Sequence, residues 1–413
     1  MRHGFRSGQP ATVASMQLRA LTLNVWGLPF GLTRHHDARM RAIGEGFGRW
    51  EADVIALQEV WTEDARKMLA AAGRRAGYSA LWHREAAFGG SGLMVLSRLP
   101  IINQHFTRYR LAGLPQRPFH GDYYSGKGFV QLALSTDLGP ISLLDTHMQA
   151  NYSGPGERDE YRGIRASQAI ELAAAVRPIP EPVLALGDFN TREGEAAYAI
   201  LGDIGGLRDV AAVLDRRQAT CLASHPYRAA GAGEARIDLV LARDGGGLAL
   251  RDIAIERVFD EPVEFAGEPG AYSDHAGVLA TFELERRRVP LLGFGAEERA
   301  GIDAAALDRA QAELSLGARW ARQRRNGEYR IAGAGLAAGL LMGGGAWRAR
   351  TGRRRFLAGG LATLAGLGVG GGFLGAGASR QVTEKELADF AEVEKILAGL
   401  RADAPRPVRI GSP

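Results

Sequence analysis

The sequence has little of what marks a secreted protein. It contains one cysteine, Cys221, in 413 residues, so no disulfide can form within the chain. The first 17 residues contain no apolar run of the roughly 7–15 residues that a secretory signal requires. Nothing here indicates an oxidising compartment. We expect residues 1–16 to be a disordered N-terminus and Cys221 to be a small buried apolar residue.

The first 285 residues have no excess of positive charge, because they hold 30 lysines and arginines against 34 aspartates and glutamates. Residues 286–413 hold 21 against 12, so the formal net charge of +5 reflects the C-terminal part. Nucleic-acid binding depends on clustered cations that neutralise phosphates. The acidic part therefore argues against a stable nucleic-acid partner and is compatible with binding a divalent cation.

The stretch GDYYSGKG, from Gly121 to Gly128, matches a nucleotide phosphate-binding loop but lacks two features that such a loop needs. Gly128 stands where a serine or threonine hydroxyl would reach Mg²⁺. The following GFVQLALST alternates as a β-strand does, whereas a phosphate-binding loop leads into a helix. These absences argue against nucleotide hydrolysis, so Asp122 and Lys127 need another explanation.

Strand-like and helix-like patterns extend to about residue 285. The predicted strands are LRALTLNV, DVIALQEV, SGLMVLS, GFVQLALS, ISLLDTHM, PVLALGDF, RIDLVLA and GVLATFEL, and the predicted helices lie near residues 34–50, 62–76, 157–176 and 193–201. Because consecutive strands have few helices between them, the pattern favours stacked, largely antiparallel sheets flanked by helices over a doubly wound parallel sheet. We expect one catalytic domain over residues 17–285.

The C-terminal part has a different composition, with a basic helical linker predicted over residues 286–330. Ile331–Trp347 and Phe356–Ala378 carry no charge and are 17 and 23 residues long, against about 20 needed to cross a bilayer. We expect residues 331–378 to form a membrane-inserted two-helix hairpin. Glycine takes 6 of the 17 and 9 of the 23 positions, so a flexible linker is the alternative.

An amphipathic helix is predicted within residues 379–413, because Thr383 and Glu386 form a capping box and leucines and Phe390 follow at helical spacing. Arginines lie on both sides of the first apolar segment, so charge does not decide the membrane topology. The missing secretory signal favours a membrane protein whose catalytic domain faces the cytoplasm.

Six predicted strands finish in, or are preceded by, polar side chains. A single such residue is most often a turn or cap residue, but six in one chain favour convergence at one edge of the sheets. Carboxylate and amide oxygens are ligands that Mg²⁺ prefers, and histidines can take a proton from water or donate to phosphate oxygens. The pattern indicates hydrolysis of a phosphoester without a covalent intermediate. The residues are Asn24, Glu59, His147, Asp188 with Asn190, Asp238, and Asp274 with His275.

Six motifs follow one another over residues 20–285, namely LNVWG, QEVW, TH, GDFN, RID and SDH. Together and in this order they resemble the endonuclease/exonuclease/phosphatase superfamily. That resemblance implies an α/β fold, a four-layered α/β/β/α deoxyribonuclease-like sandwich, and Mg²⁺-dependent phosphoesterase activity. Four further features resemble the neutral sphingomyelinases, namely NVWGLPF, GSGLMVLSRLPI, HGDYYSGKG and the two apolar C-terminal segments. The sequence departs from the animal enzymes at Gln149, where those commonly have a second histidine.

The resemblance implies hydrolysis of sphingomyelin or a related membrane phospholipid to a lipid alcohol and a phosphorylated headgroup. A nuclease or phosphatase of the same superfamily is the alternative. The implied cofactor is Mg²⁺, with Mn²⁺ as a second choice, and the basic tail implies an anionic lipid surface as a partner.

The resemblance also implies roles for individual residues. Glu59 would be the principal metal ligand, helped by Asn24 and with Asp274 near the metal. Asp188 and Asn190 would position the phosphoryl group and the attacking water.

The remaining implied roles concern proton transfer and substrate charge. His275 would be the general base, oriented by Asp238. His147 would stabilise charge on the phosphoryl oxygens. Asp122 and Lys127 would help to organise catalysis and engage the phosphate region of the lipid.

Overall fold

The computed structural model describes residues 14–29, 31–84, 90–114, 117, 120–153, 158–223, 225–228, 233–287, 302–349 and 355–402. Its strands are β1 Ser15–Gly27, β2 Val54–Val60, β3 Ala80–His83, β4 Met94–Ser97, β5 Ile101–Arg108, β6 Gly128–Thr136, β7 Gly139–His147, β8 Val183–Asp188, β9 Arg208–Asp209, β10 Asp238–Arg243, β11 Leu248–Val258, β12 Val263–Phe265, β13 Glu268–Gly270 and β14 Gly277–Arg286. Its helices are α1 His36–Gly46, α2 Glu63–Arg75, α3 Arg162–Val176, α4 Ala196–Asp203, α5 Val210–Val213, α6 Ala304–Ala349 and α7 Arg355–Ala402.

Twelve of these strands form two six-stranded sheets. Sheet 1 has the order β11-β14-β1-β2-β4-β3, and sheet 2 has the order β5-β6-β7-β8-β10-β9. The pairs β1–β2 and β7–β8 are parallel, and the other pairs of both sheets are antiparallel. The predicted mixed α/β sandwich of largely antiparallel sheets is confirmed.

The period of two along each strand divides its side chains between two cores. In β1, Leu18 and Ala20 point between the sheets, where they pack with Leu184 of β8. Leu21 and Leu23 point the other way, onto α1 and α2. The outer face of sheet 2 is covered in the same manner by α3 and α4. The layers therefore follow the order helices, sheet, sheet, helices.

The N-terminus and the C-terminal helices do not follow the predicted boundaries. Residues 1–13 lie outside the described part of the chain, whereas Ser15 and Met16, predicted to be disordered, already pair with β14. Helix α6 runs without a break across residue 330, where a linker was predicted to meet the hairpin. Helix α7 likewise runs through Thr383, so the predicted capping box is wrong, because Thr383 lies in mid-helix and is buried.

Helices α6 and α7 pack on the catalytic domain as part of its outer layer. Leu314, Phe390 and Leu397 are buried in the same apolar cluster as α3 and α4. Gly163 of α3 and Gly317 of α6 allow the closest approach, since a Cβ on Gly163 would lie 2.6 Å from the Gly317 Cα. The predicted apolar face of the C-terminal helix is thereby confirmed as a packing surface.

No helix within the described ranges contains a stretch that is both long and apolar enough to cross a membrane. The predicted membrane-inserted hairpin therefore receives no support, although the two segments are helical. The orientation of the catalytic domain relative to a membrane stays a prediction.

Candidate active site

The predicted site residues meet at one end of the sandwich, where the two sheets present their strand ends. Asp188, the last residue of β8, is in register with His147 at the end of the parallel strand β7. It is also paired with Asp238, the first residue of the antiparallel strand β10. In sheet 1, Asn24 of β1 is paired with the residue before Glu59 of the parallel strand β2. The directions of these strands thus bring the groups together at one end of the sandwich.

Asn24 joins the two sheets at the centre of the site. Its Nδ2 donates to Glu59 Oε1 at 3.0 Å and to Asp188 Oδ2 at 3.0 Å. Its Oδ1 accepts from the Trp26 N–H at 3.0 Å, and its backbone carbonyl accepts from Ser273 Oγ at 2.6 Å. Asn24 was predicted to help Glu59 bind the metal, and that role stays a prediction. In this structure the amide nitrogen of Asn24 bridges the two carboxylates, while its amide oxygen accepts from Trp26.

Three of the eight non-glycine residues that have a left-handed backbone in the described ranges lie in this region. Trp26, Glu59 and Asn190 have φ values of 49°, 61° and 48°. These are left-handed conformations that non-glycine residues seldom adopt, and they occur preferentially where surrounding contacts enforce them at functional sites. The Asn190 N–H donates to Asp188 Oδ1 at 3.0 Å and its Nδ2 donates to the Met148 carbonyl at 3.1 Å. Asn190 therefore fixes the carboxylate of Asp188.

His275 and Asp238 form a buried pair beside the carboxylates. The His275 Nδ1 lies 2.8 Å from Asp238 Oδ2, which leaves Nε2 facing Asp274 Oδ1 at 4.0 Å. Burial favours the neutral imidazole, but the negative charges of Asp238 and Asp274 outweigh it and raise the pKa of His275 well above its usual value. A bound cation would oppose this effect. The geometry is that of a general base held by a carboxylate.

Lys127 lies behind the site and is fully buried. Its Nζ is 2.8 Å from His147 Nε2, 2.7 Å from the Met148 carbonyl and 2.9 Å from Asp122 Oδ1. These three contacts use all three donors of an ammonium group. Lys127 is thus fully engaged by acceptors of the protein, and its predicted contact with the phosphate region of the lipid stays a prediction. Asp122 is held in turn by the Ala150 N–H at 2.9 Å.

His147 is a neutral imidazole in this environment. Burial, followed by the positive charges of Lys127 and His275, lowers the pKa of His147 well below its usual value. Because Lys127 can only donate, His147 Nε2 accepts, and the same Nε2 lies 3.4 Å from Asp188 Oδ2. His147 is thus fixed by the loop that carries Lys127.

The donor set fits a hard divalent cation. Burial and then the charge of Asp274 raise the pKa of Glu59, and burial and then Asp238 raise the pKa of Asp188 to about 7. Such shifts mark negative charge that is buried with too little positive charge around it. Oxygen ligands are those that Mg²⁺ and Mn²⁺ take. Glu59 and Asp274 would hold the ion, with Asp188 beside it.

Two structural residues of the site were not recognised from the sequence. Arg39 of α1 is fully buried, and it donates to the carbonyls of Val25, Trp26 and Tyr272. It therefore ties the strained end of β1 to the loop that precedes Asp274. Cys221 is buried, as expected, but its Sγ also lies 3.7 Å from His275 Nδ1, which was not expected. Neither residue belongs to a local sequence pattern that could have revealed it.

A cleft of about 310 Å³ lies beside His275. It is lined by His225, Pro226, Phe259, Pro269 and His275, among other residues. On another side of the site, Tyr152 is 41% exposed and stacks on His120 with a centroid distance of 4.3 Å. Both places therefore combine apolar and polar side chains.

A yeast protein and a human protein are similar to this chain in sequence. The chain is 34% identical over 201 residues to an inositol phosphosphingolipids phospholipase C of Schizosaccharomyces pombe, which covers 47% of this chain and 46% of that protein. It is 30% identical over 335 residues to human sphingomyelin phosphodiesterase 2, which covers 74% of this chain and 75% of that protein. The match thus spans about half the length of the yeast relative and three quarters of the human one.

Solved structures share the fold. The TM-score is 0.51 against TDP2 of D. rerio complexed with a single-strand DNA product, at 17% identity, covering 64% of this chain and 98% of that one. It is 0.50 against a beta toxin of Staphylococcus aureus with bound magnesium ions, at 20% identity, covering 64% and 99%. The model of the Endonuclease/Exonuclease/phosphatase family matches residues 21–275, which include every predicted site residue. The chain belongs to the Endonuclease/Exonuclease/phosphatase family.

Proposed function

We propose that this chain is a divalent-metal-dependent phosphodiesterase that hydrolyses a phosphosphingolipid to a ceramide-type lipid alcohol and a phosphorylated headgroup. The observation that carries the proposal is the buried Asp238–His275 pair beside the carboxylates that Asn24 bridges. The sphingolipid substrate is supported by the names of the two relatives described above, sphingomyelin phosphodiesterase and inositol phosphosphingolipids phospholipase C.

Each step of the hydrolysis can be assigned to a side chain. His275 Nε2 accepts a proton from water while Asp238 holds the resulting imidazolium through Nδ1. The water oxygen bonds to phosphorus as the bond from phosphorus to the lipid oxygen breaks, and the lipid oxygen takes a proton from solvent. Asn190 and His147 are proposed to lie against the phosphoryl oxygens. A Mg²⁺ or Mn²⁺ ion at Glu59 would withdraw charge from these oxygens when bound.

Lys127 and Asp122 are proposed to act by position. Lys127 orients His147 and, through the Met148 carbonyl, also the segment that Asn190 contacts. Both site histidines are therefore oriented by a charged partner, Lys127 in one case and Asp238 in the other. Orientation of this kind contributes to catalysis because the reacting groups need no reorganisation at the moment of reaction.

One experiment separates this proposal from the nuclease and phosphatase alternatives. Purified full-length chain with Mg²⁺ is incubated separately with mixed micelles of sphingomyelin, of an inositol phosphosphingolipid and of phosphatidylcholine, and with supercoiled plasmid and inositol phosphates. We expect release of a water-soluble phosphorylated headgroup from at least one sphingolipid, lost on addition of EDTA. Plasmid nicking without headgroup release would favour the nuclease. Release from phosphatidylcholine alone would keep the reaction class and reject the sphingolipid.

We also propose a lipid surface containing anionic lipids as the partner of the outer half of α6. Its side chains Ile331, Leu340 and Leu341 are 75%, 69% and 78% exposed, which is unusual for large apolar groups. Arginines follow in RARTGRRR, at residues 348–355, and cations near an anionic surface contribute about 1 kcal/mol each. Sedimentation with vesicles should weaken when Leu340 and Leu341 are both changed to Asp. Unchanged sedimentation would place the lipid contact elsewhere.

A further inference from the structure

The only cysteine of the chain lies against the proposed general base. Cys221, Asp238 and His275 are all buried, and each offers a ligand atom within 4.8 Å of the other two. The Cys221 Sγ is 3.7 Å from His275 Nδ1 and 3.8 Å from Nε2. Both distances are within hydrogen-bond range for sulfur, but the shorter contact that holds the imidazole is the one from Nδ1 to Asp238 Oδ2 at 2.8 Å. The thiol is therefore close to the imidazole and is not its main support.

One acceptor in this cluster has no hydrogen-bond partner among the residues that the structure describes. Asp238 uses Oδ2 for His275, whereas its Oδ1 is buried and unpaired within those ranges. A buried carboxylate oxygen without a donor is costly, and a cation satisfies it directly. The cluster thus brings together a thiol, an imidazole and a carboxylate, and one oxygen of that carboxylate is unpaired within the described ranges.

We propose that Cys221, Asp238 and His275 form an inhibitory site for a thiophilic divalent cation, Zn²⁺ or Cd²⁺, separate from the oxygen-ligand site at Glu59. Sulfur, nitrogen and carboxylate oxygen are the ligands of tetrahedral zinc. Zinc bond lengths of about 2.0–2.3 Å imply ligand separations of roughly 3.3–3.8 Å in a tetrahedron. The Sγ to Nδ1 distance already lies in that range, and the 2.8 Å from Nδ1 to Oδ2 would have to open.

The ligand chemistry keeps the two cations apart. Mg²⁺ and Mn²⁺ prefer carboxylate oxygen and water, so they are expected at Glu59, whereas the thiolate selects the softer ions. Binding releases the thiol proton and any proton on the coordinating imidazole nitrogen to solvent. His275 lines the open cleft next to Leu222 and His225, which gives an ion a route to the cluster.

Cation binding and inhibition rest on different observations. Cation binding depends only on the three side chains. Inhibition also rests on the proposed function, because an imidazole that donates its lone pair to a metal cannot accept a proton from water.

Cd²⁺ titration of the purified full-length chain, in saturating Mg²⁺, tests the binding. The ultraviolet charge-transfer band between a thiolate and Cd²⁺ can only arise from Cys221, because the chain contains no second cysteine. We expect a band that saturates at one equivalent. Asp238→Asn should retain the band and weaken the Cd²⁺ affinity by at least about 10-fold, as expected for loss of a metal partner. His225→Ala, in the same cleft but outside the cluster, is the matched control and should leave the affinity unchanged.

Absence of the band in the folded protein would overturn the proposal, as would equal Cd²⁺ affinity in Asp238→Asn and the wild type. Zn²⁺ inhibition is then measured relative to the zinc-free activity of each protein. Cys221→Ser and Cys221→Ala should each need at least about 10-fold more Zn²⁺ for half-inhibition. Inhibition at the same Zn²⁺ concentration as in the wild type would place zinc at the oxygen-ligand site instead. A Cd²⁺ band without any lipid hydrolysis would keep this site and reject the proposed function.

Discussion

Lys127 Nζ lies 2.8 Å from His147 Nε2, and both side chains are buried. A lysine is almost never fully buried unless its charge is paired, as the charge of Lys127 is with Asp122. We expect Lys127→Met to lower kcat by about 100-fold, the loss typical of a misplaced catalytic group, with little change in KM. Steady-state kinetics test this, with Lys395→Met, an exposed lysine of α7, as the control. A large rise in KM at constant kcat would instead indicate direct contact with substrate.

Glu59→Gln removes the charge that is expected to hold the cation and keeps the side-chain shape. Activity should fall by at least about 100-fold at any Mg²⁺ concentration, as for loss of an electrostatic partner of the transition state. The fold should persist, because burial already raises the pKa of Glu59 and disfavours its charge. Mg²⁺ should raise the midpoint temperature of unfolding in the wild type and in the control, and not in Glu59→Gln. The control is Glu63→Gln, an exposed residue at the start of α2, and a Mg²⁺-dependent shift that survives in Glu59→Gln would move the metal site elsewhere.

The Asp238–His275 pair should behave as one unit. His275→Ala and Asp238→Ala are each expected to reduce kcat strongly, and the double variant should be hardly worse than His275→Ala alone. Kinetics of the four proteins give the coupling directly. Independent, additive losses would show that Asp238 serves the site without acting through His275.

Asp145 links the two sheets and should make stability depend on pH. Gln58 Nε2 of β2 donates to Asp145 Oδ1 of β7 at 2.7 Å, and burial raises the pKa of Asp145 well above its usual value. Stability from this group is complete below the unfolded pKa, about 4, and is lost as the pH rises through the folded pKa. Asp145→Asn keeps an acceptor for Gln58 and cannot ionise. Near neutral pH the variant should therefore unfold at a higher urea concentration than the wild type, and this difference should shrink below about pH 4. Asp137→Asn, in an exposed turn, should show no such change.

The C-terminal helices should contribute to the stability of the catalytic domain. Phe390 of α7 is buried against Gly317, so Phe390→Ala should lower the free energy of unfolding by about 3–5 kcal/mol. Leu340→Ala, on the exposed outer half of α6, should change it by less than about 0.5 kcal/mol. Urea denaturation of the full chain measures both. Equal, small effects would mean that the helices and the domain unfold independently.

The sequence allowed the central strands to be predicted because their alternation is regular, whereas the edge strands were missed. Strand β5 lies at an edge of sheet 2 and has mostly exposed or half-exposed side chains, so it has no apolar period. Strand β11 lies at an edge of sheet 1, and its register shifts between Asp252 and Ala254, which interrupts the alternation. Edge position and irregular pairing both remove the pattern on which a strand prediction depends.

The candidate site could be predicted as a set of residues but not as a set of contacts. Polar residues at strand ends mark where the groups lie, because strand direction decides which ends meet. Which atom of Asn24 faces the carboxylates, and that Lys127 is buried behind His147, depend on packing between distant segments. The docking of α6 and α7 on α3 was missed for the same reason, since the glycine contact that permits it joins residues 163 and 317.

The bridge that Asn24 makes between Glu59 and Asp188 joins one sheet to the other. Neither half of the sandwich contains the whole constellation, since Glu59 belongs to sheet 1 and His147 and Asp238 belong to sheet 2. A folding intermediate in which each half had formed alone would have native-like secondary structure and no catalysis. The rate at which activity returns during refolding therefore reports the association of the two sheets. The formation of the strands themselves would be detected earlier, as a change in secondary structure.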